Sequence, residues 1–402
     1  MLETVHEFAR EKLQESAEAG EIKRTHALYF LTLAEQAYPE LKGANQLEWL
    51  DRLEAEHDNM RVALSWALER KEAEVAIRLG GALWLFWFVR GYNSEGRRWL
   101  QEALAIDGRG SPGSRAMALA GVGWLAAHQG DLDRAQEACK EGLQLPANEA
   151  SEARRCLLVF LGWVARERED YGRATQLFEE SLALSQQMSD TYWHATSLSN
   201  LALVSHYRRD SERATELYEE SMDLFRELGD KQSLAYCLNN LGMVVYSQGD
   251  LGRAAQLTEE GVALVRELGA RVDVALGLCN LGWIDLLRED LGRAADHYRE
   301  SLSLSWDTGL TPLVQSALEG FACLAGARGE TERAVRLWGA AQSLHETKGI
   351  PRDDDFLAEA DARIAVVRSG IGEEPWEQAR RKGRVMTLDE AVSYALEEEA
   401  GG

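Results

Sequence analysis

The side chains that most often perform catalysis or bind metals are present, but they follow no pattern that such chemistry requires. The eight histidines form no His-Glu-x-x-His motif, and the five cysteines include no Cys-x-x-Cys pair. No spacing supports a Ser-His-Asp or Cys-His arrangement, and a lone histidine on a helix is more often structural than a metal ligand. We therefore expect neither enzyme activity nor a metal or cofactor.

Apolar residues that recur at a fixed spacing are better candidates for a functional site, and the function that they indicate is binding. One row contains three tryptophans and comprises Trp124, Trp163, Leu203, Met243, Trp283 and Cys323. A second row stands three residues further along and comprises Ala127, Arg166, His206, Tyr246, Leu286 and Gly326. Contiguous exposed apolar surface usually marks a contact, and Trp and Tyr are frequent interface anchors. Two alternatives stay open: neighbouring helices bury these rows, or the C-terminal tail fills the groove that they line.

These rows belong to a longer repeat with a period of about 40 residues. The repeat is marked by the Arg-Ala pairs that begin at Arg134, Arg173, Arg213, Arg253, Arg293 and Arg333. An acid stands three residues before each arginine, and a small residue stands twelve residues before each alanine. A later glycine follows the same period at Gly229, Gly269, Gly309 and Gly349, with Ser189 in the earlier equivalent position. Such self-similarity is typical of stacked repeat proteins.

Each marker of the repeat predicts a structural role. The small residue and the alanine allow two helices to pack closely, the acid caps the second helix, and the glycine ends it. One repeat is therefore helix A, a tight turn, helix B and a stop; in the fourth repeat, helix A covers about Ser233–Gln248 and helix B about Leu251–Leu268. We expect the repeated arginines to form repeat-to-repeat pairs with glutamates of helix B such as Glu179, Glu219 and Glu259. An anion-binding ladder is the alternative.

The segments that flank the repeats also read as helical. The expected N-terminal helices are Glu3–Ala17, Lys23–Tyr38, Gln46–Arg70, Ala73–Val89 and Ser94–Ala105. The last two form a degenerate first repeat, and Ile106–Ser114 is a loop. Capping helices are expected at Glu373–Lys382 and Leu388–Glu399. The sequence thus predicts an N-terminal helical region over 1–110, six repeats over 111–349 and a cap over 350–402.

Charge and composition exclude several classes of function. The net charge of −23 argues against nucleic-acid and anionic membrane surfaces, which require clustered lysine and arginine. The N-terminus shows no signal peptide, and the apolar run Leu79–Val89 is too short to span a bilayer. An odd number of unpaired cysteines suits a reducing compartment. We expect a cytoplasmic protein.

The repeat resembles the tetratricopeptide repeat (TPR), most clearly in Asn240–Ala254, which reads NLGMVVYSQGDLGRA. That family implies an all-α, right-handed superhelical solenoid of stacked helical hairpins. Its usual repeat has about 34 residues, and the longer period found here is similar to that of the sensor arrays of STAND-class bacterial regulators, such as maltose-activator-like, LuxR-type and antibiotic-regulatory ATPases.

The flanking segments strengthen the resemblance to STAND regulators. Leu2–Leu13 looks like the segment after the winged-helix part of the nucleotide-binding module, and Trp49–Trp66 looks like the opening of the C-terminal helical region. Arg333–Ala341 and Leu388–Ala395 look like the last repeat and the tail. The G-x-x-x-x-G-K-[ST] phosphate loop and a basic helix-turn-helix are missing, so ATPase activity and direct DNA binding are not expected of this chain.

In the tetratricopeptide family, ligands contact the concave face built by helix A, and in peptide-binding relatives an asparagine directly before the leucine of the close-packing point touches the ligand backbone. Here that asparagine either contacts a ligand or bonds the neighbouring repeat. The predicted ligand- and partner-binding residues are Trp124, Trp163, Asn200, Leu203, His206, Asn240, Met243, Tyr246, Asn280, Trp283 and Leu286.

The resemblance implies a non-catalytic interaction and sensing module, the C-terminal sensor part of a STAND-type transcriptional or signalling regulator. Its expected partner is a protein or peptide, including a STAND NTPase module in the same chain or in another, and a small-molecule effector is also possible. The alternative is a structural scaffold that mediates oligomerisation without a small-molecule ligand.

Overall fold

The computed structural model describes residues 12, 16, 18–106, 110–146, 148, 151–348 and 354–397. Within these ranges every regular element is an α-helix, which confirms the predicted all-α class. The chain divides into two compact units, Met1–Leu234 and Ala235–Gly402. In each unit, consecutive helices pack as hairpins that stack in sequence order, so each hairpin covers the apolar face of the one before it.

The helices of the first unit are α1 (Ala19–Glu40), α2 (Gln46–Ala55), α3 (His57–Glu69), α4 (Ala73–Arg90), α5 (Asn93–Leu104), α6 (Pro112–His128), α7 (Leu132–Leu143), α8 (Ser151–Glu167), α9 (Tyr171–Gln187), α10 (Thr191–Tyr207) and α11 (Ser211–Leu228). The even-numbered helices from α4 onward are the A helices of the repeats, and the odd-numbered helices are the B helices. The last residues of this unit begin α12 (Lys231–Ser247).

The second unit contains the rest of α12 and the helices α13 (Leu251–Glu267), α14 (Arg271–Leu287), α15 (Leu291–Asp307), α16 (Thr311–Ala327), α17 (Thr331–Lys348), α18 (Asp354–Ile371), α19 (Glu373–Arg384) and α20 (Leu388–Leu396). The helices α14 to α17 continue the A and B alternation. The helices α18, α19 and α20 follow the last repeat and pack on it.

Most predicted helices are present within one turn of their expected ends, and two differences stand out. The expected helix Gln46–Arg70 is two helices, because Glu56 leaves the helical backbone between α2 and α3. Helix α18 was not predicted from the sequence. The expected helix Glu3–Ala17 lies largely outside the described residues, as does the marker Gly349. The three-part domain division stays a prediction, because it follows repeat boundaries whereas the two compact units follow packing.

Aspartates cap the B helices as predicted. The side chains of Asp131, Asp170, Asp210, Asp250 and Asp290 each accept a hydrogen bond from the backbone N–H of the repeated arginine. This bond satisfies one of the amide groups that a helix N-terminus leaves without an intrahelical partner. The glycine stops are confirmed too, since Gly229, Gly269 and Gly309 have φ angles of +71°, +66° and +70°.

Loss of one such cap is expected to cost about 1 kcal/mol of unfolding free energy. The test is Asp250→Ala, which removes the acceptor 3.0 Å from the Arg253 amide. Asp296→Ala is the matched control, because Asp296 forms only an exposed ion pair with Arg299 on its own helix and should cost no more than about 0.5 kcal/mol. Urea unfolding of both variants measures the difference, and equal costs would contradict a capping role.

Glycines on the A helices allow close packing against large residues of the following B helix. A Cβ atom on Gly162 would lie 2.5 Å from the ring of Phe178, and one on Gly282 would lie 2.8 Å from that of Tyr298. The sequence predicted a small residue here but not its neighbour, which stands sixteen positions later in both repeats. The glycine therefore makes room for a bulky side chain of helix B.

The arginine ladder matches the predicted repeat-to-repeat pairing only in part. Arg134 and Arg213 pair with glutamates of their own helices, at 3.4 Å from Glu137 and 3.1 Å from Glu216. Arg293 does reach Glu259 of the preceding repeat. A local partner three residues away is available to a surface arginine without any help from the neighbouring hairpin, and exposed pairs of this kind contribute little stability.

No helix in the described part of the chain is long and apolar enough to cross a lipid bilayer.

Candidate binding surface

Four aromatic side chains from three consecutive A helices meet in the first unit while keeping contact with solvent. They are Phe88 of α4, Trp124 and His128 of α6, and Trp163 of α8. The Trp124 ring lies 5.4 Å from Phe88 and 6.1 Å from Trp163, centroid to centroid. The His128 ring stacks on Trp163 at 5.2 Å and lies 4.6 Å from Phe88. We call these four residues the aromatic surface.

Buried rings support the aromatic surface from beneath. Phe160 packs 4.5 Å from Trp124, and Trp84 packs 5.4 Å from Phe160. Trp193 of α10 lies 5.9 Å from Phe160 and extends the layer into the next repeat. These distances fall within the range of favourable aromatic pairs. Because the supporting rings are held in the core, the exposed rings above them are fixed in position before any partner arrives, which lowers the entropic cost of binding.

The aromatic surface is close to electrically neutral. Although part of the His128 imidazole contacts solvent, burial among the surrounding rings lowers its pKa to about 4. Its Nδ1 lies 3.0 Å from the carbonyl oxygen of Trp124. The guanidinium of Arg166 lies 5.0 Å from the Trp163 ring and also pairs with Glu167. At neutral pH this surface therefore offers uncharged aromatic faces, and the neighbouring Arg166 is buried and already paired.

The 40-residue period places these rings together. Trp124 and Trp163 occupy the same position in successive repeats, 39 residues apart, so stacking of the A helices makes them neighbours. Phe88 belongs to the degenerate first repeat and His128 lies one turn after Trp124. His128 falls near the groove that the sequence predicts, but neither His128 nor Phe88 was among the predicted binding residues, because the equivalent positions of other repeats are not consistently aromatic. Trp87, the neighbour of Phe88, is fully buried.

The other predicted binding residues of the first unit, Asn200, Leu203 and His206, contact neighbouring parts of the protein. Asn200 is buried, and its amide donates a hydrogen bond to the carbonyl oxygen of Thr196 on its own helix. Leu203 is buried as well. His206 is half-buried, with its ring 5.9 Å from that of Tyr207. Asn200 and Leu203 thus contribute to packing rather than to an open surface.

In the second unit the two predicted asparagines also bond within the protein. The Asn240 amide donates to the carbonyl oxygen of Tyr236 at 2.8 Å. The Asn280 amide donates to the side-chain oxygen of Asn239 at 3.0 Å, one repeat earlier. Asn280 therefore matches the alternative in which this position ties neighbouring repeats together.

The apolar row of the second unit is largely covered. Trp283 and Leu286 are buried, whereas Met243 and Tyr246 are half-buried. The Trp283 indole donates to the Tyr246 hydroxyl at 3.2 Å. As the chain is folded here, Trp283 and Leu286 present no surface to a partner.

Helix α18 supplies much of this cover. Its Arg363 guanidinium lies 5.9 Å from the Trp283 ring. The Cys323 thiol lies 4.0 Å from the carbonyl oxygen of Ala360, and a Cβ on Gly326 would lie 2.8 Å from Val367. The tail therefore occupies the A-helix face of the last repeats, which is one of the two alternatives that the sequence left open.

The described residues contain no group of three or more His, Cys, Asp or Glu side chains that could hold a metal ion. None of the five cysteines forms a disulfide, and all five are buried. Burial raises the pKa of the Cys139, Cys156, Cys279 and Cys323 thiols to about 12, so these four are protonated and poorly nucleophilic at neutral pH. Their surroundings resemble those of structural cysteines.

Comparison with known proteins supports the repeat assignment. Residues 193–267 match the sequence model of the tetratricopeptide repeat family. A STAND protein with a tetratricopeptide repeat sensor from Pyrococcus horikoshii aligns with a TM-score of 0.57 and 14% identity, over 90% of this chain and 54% of that protein. A Rap protein complexed with competence and sporulation factor aligns at 0.55 and 12%, over 90% of this chain and 100% of that protein.

The apo form of the quorum sensor NprR from B. thuringiensis aligns with a TM-score of 0.53 and 12% identity, over 94% of this chain and 99% of that protein. Mycobacterial proteins named as HTH-type transcriptional regulators, from M. tuberculosis and M. bovis, are 34% identical over 104 residues. That match covers 26% of this chain and 12% of theirs. The chain therefore contains a segment, residues 193–267, that matches tetratricopeptide repeats, and it shares its all-α fold with the three solved structures.

Proposed function

We propose that this chain is a non-catalytic sensing module whose aromatic surface binds a protein or peptide partner. The observation that carries the proposal is the cluster of Phe88, Trp124, His128 and Trp163, four ring systems that are rigidly supported from below yet accessible from outside. Rigid aromatic side chains supply large contact area at low entropic cost and dominate binding hot spots. The surface also lacks the free charge that would favour a highly charged ligand.

The similar proteins support a regulatory role. One is a STAND protein with a tetratricopeptide repeat sensor, one is a quorum sensor, and one is a Rap protein complexed with competence and sporulation factor. Together with the STAND-like segments around the repeats, they favour a cytoplasmic sensor that acts with an NTPase module and controls transcription or signalling. In this proposal, partner binding alters how the repeats pack against that module. The first unit supplies the contact, since α18 covers the corresponding row in the second.

Substitutions on the aromatic surface should weaken partner binding without unfolding the chain. Trp163→Ala removes an anchor and should cost about 2 kcal/mol, or roughly thirtyfold in Kd. His128→Glu places a charge among the rings and should weaken binding to a similar extent while disturbing the core less, because part of the His128 side chain contacts solvent. Tyr29→Ala is the control, since Tyr29 is an aromatic residue of α1 that is 58% exposed and lies outside the surface.

The measurement is affinity capture from native lysate with wild type and the three variants, scored by quantitative proteomics, after circular dichroism has shown that each variant is folded. We expect at least one partner to be lost from Trp163→Ala and His128→Glu and retained by Tyr29→Ala. Equal retention by all folded variants would contradict the proposal. If the captured species were only further copies of this chain, the oligomeric scaffold would be the better account.

A further inference from the structure

A second feature of the first unit is an open cavity of about 930 Å³ between α1 and the start of α6, α8 and α10. Its size lies within the range of small-molecule sites. Tyr38, Met117, Met188 and Tyr192 contribute apolar and aromatic walls, and Lys42 projects a cation into it. The N-terminal turns of three helices face this space, and the partial positive charge of those helix ends adds to that of the lysine.

The loop that carries Lys42 is held against the far end of the unit. The Gln46 side chain donates a hydrogen bond to the Asp230 carboxylate, 184 residues later in the sequence. It also accepts one from the backbone N–H of Gln232. Gly229 is so close to Ala44 that an added Cβ would lie 2.8 Å from that residue's methyl group. These contacts fix the position of Lys42, so the cavity is formed by the folded chain itself.

Lys42 has an unusual environment for an ammonium group. Its Nζ lies 3.6 Å from the centroid of the Tyr38 ring, 5.3 Å from that of Tyr192 and 5.7 Å from that of Trp193. It forms no ion pair with a described residue. Burial lowers the pKa of Lys42. Three rings thus surround a half-buried cation that has no carboxylate of its own.

The other cations at the cavity already have partners. Arg78 forms two hydrogen bonds with the Glu35 carboxylate, at 2.7 and 2.8 Å. Arg155, next to the cavity, pairs with Asp190 at 2.6 Å. Among the described residues at the cavity, Lys42 is therefore the cationic group that remains available to a ligand. Three carboxylates also lie at the cavity, those of Glu35, Asp190 and the exposed Glu152. They would repel a ligand that carries several negative charges.

A desolvated charge without a counter-ion costs free energy. Contact with the tyrosine faces recovers part of that cost but provides no hydrogen-bond acceptor for the ammonium. The complementary group is one carboxylate, because a polyanion such as a nucleotide would be repelled by the acids around the cavity. The aromatic and methionine walls favour an apolar body next to that carboxylate.

We propose that this cavity binds a small organic molecule with one carboxylate and an aromatic or aliphatic body. The carboxylate lies at Lys42 Nζ, and the body packs against Tyr38, Tyr192 and Met117. This site is distinct from the aromatic surface and does not depend on the proposed partner binding.

The test is isothermal titration calorimetry of the full chain with a panel of aromatic and aliphatic monocarboxylates, phenylacetate and indole-3-acetate among them. Phenylacetamide and phenethylammonium serve as neutral and charge-reversed probes. Lys42→Met keeps an unbranched side chain that is one atom shorter and removes its charge. Lys140→Met is the control, since Lys140 is an exposed lysine of α7 outside the cavity.

We expect at least one monocarboxylate to bind wild type and Lys140→Met equally and to bind Lys42→Met at least about tenfold more weakly, because a charge-assisted contact is lost. The amide and the ammonium probes should bind poorly to all three. Because Lys42→Met removes a desolvated charge, its melting temperature should not fall, which shows that any loss of binding is not a loss of folding.

The proposal is overturned if no monocarboxylate distinguishes wild type from Lys42→Met, or if phenethylammonium binds as well as the acids. The variant Trp163→Ala separates this site from the aromatic surface. It should bind the monocarboxylate normally even if it loses its protein partner, so failure of one proposal leaves the other measurable.

Discussion

Replacement of Gly383 by alanine is expected to destabilise the second unit by about 3 kcal/mol, at the upper end of the usual cost of an overpacked site. Gly383 lies where α19 crosses α17, and an added Cβ would lie only 2.0 Å from the carbonyl oxygen of Arg336. The crossing is close in both directions, because a Cβ on Gly339 would lie 2.6 Å from the carbonyl oxygen of Arg380. Both obstacles are backbone atoms, so no side chain can rotate away to relieve the clash.

The matched control is Gly370→Ala on α18, where an added Cβ meets no atom within 4 Å. Alanine in an open helical position should be neutral or stabilise by up to about 1 kcal/mol. Thermal unfolding measures both variants, and hydrogen exchange of α19 amides locates the effect. If Gly383→Ala proved as stable as Gly370→Ala, the two helices would not pack in backbone contact.

Replacement of Gly229 by alanine is expected to cost about 2 to 3 kcal/mol through two additive effects. Gly229 ends α11 with a φ of +71°, where an L-residue is strained by about 1 kcal/mol. The added methyl group would also displace Ala44 and the loop that carries Lys42. The same variant should therefore weaken binding of a monocarboxylate at the cavity.

Gly309→Ala isolates the backbone strain from the clash. Gly309 ends α15 with a φ of +70°, and an added Cβ meets no atom within 4 Å. Its cost should stay near 1 kcal/mol. Hydrogen exchange near each substituted residue compares the two positions locally, since they lie in different units. Equal effects would show that the Ala44 contact contributes nothing.

Much of the fold could be predicted because its information is local and repeated. Three features recur with one period: the acid that caps each B helix, the glycine that ends it and the apolar face. The helix boundaries predicted in one repeat therefore support those predicted in the next. Asp250 and Gly269 have the same roles as their equivalents one repeat earlier. Trp124 and Trp163 could be paired for the same reason, since equivalent positions in stacked repeats must be neighbours.

The parts that could not be predicted depend on contacts outside the period. Helix α18 has no repeat marker, and its position over Trp283 is set by packing on the last repeats. In sequence, Trp283 therefore looked equivalent to Trp163, because both occupy the same position of the repeat. In the structure, a separate helix covers Trp283. The Lys42 cavity is a second case, because Lys42 and Tyr192 meet only through the tertiary fold.

The most direct test of the central claim, that the aromatic surface of the first unit binds a partner, is site-specific photocrosslinking. The photoreactive residue p-benzoylphenylalanine would replace Phe88, Trp163 or Tyr29 in the full chain, with irradiation in native lysate. Phe88 and Trp163 are far apart in sequence but both pack against Trp124 and His128. We predict that both positions crosslink the same protein or peptide and that position 29 does not. Crosslinking of that species from all three positions, or from position 29 alone, would contradict the claim, as would the absence of any shared product at positions 88 and 163.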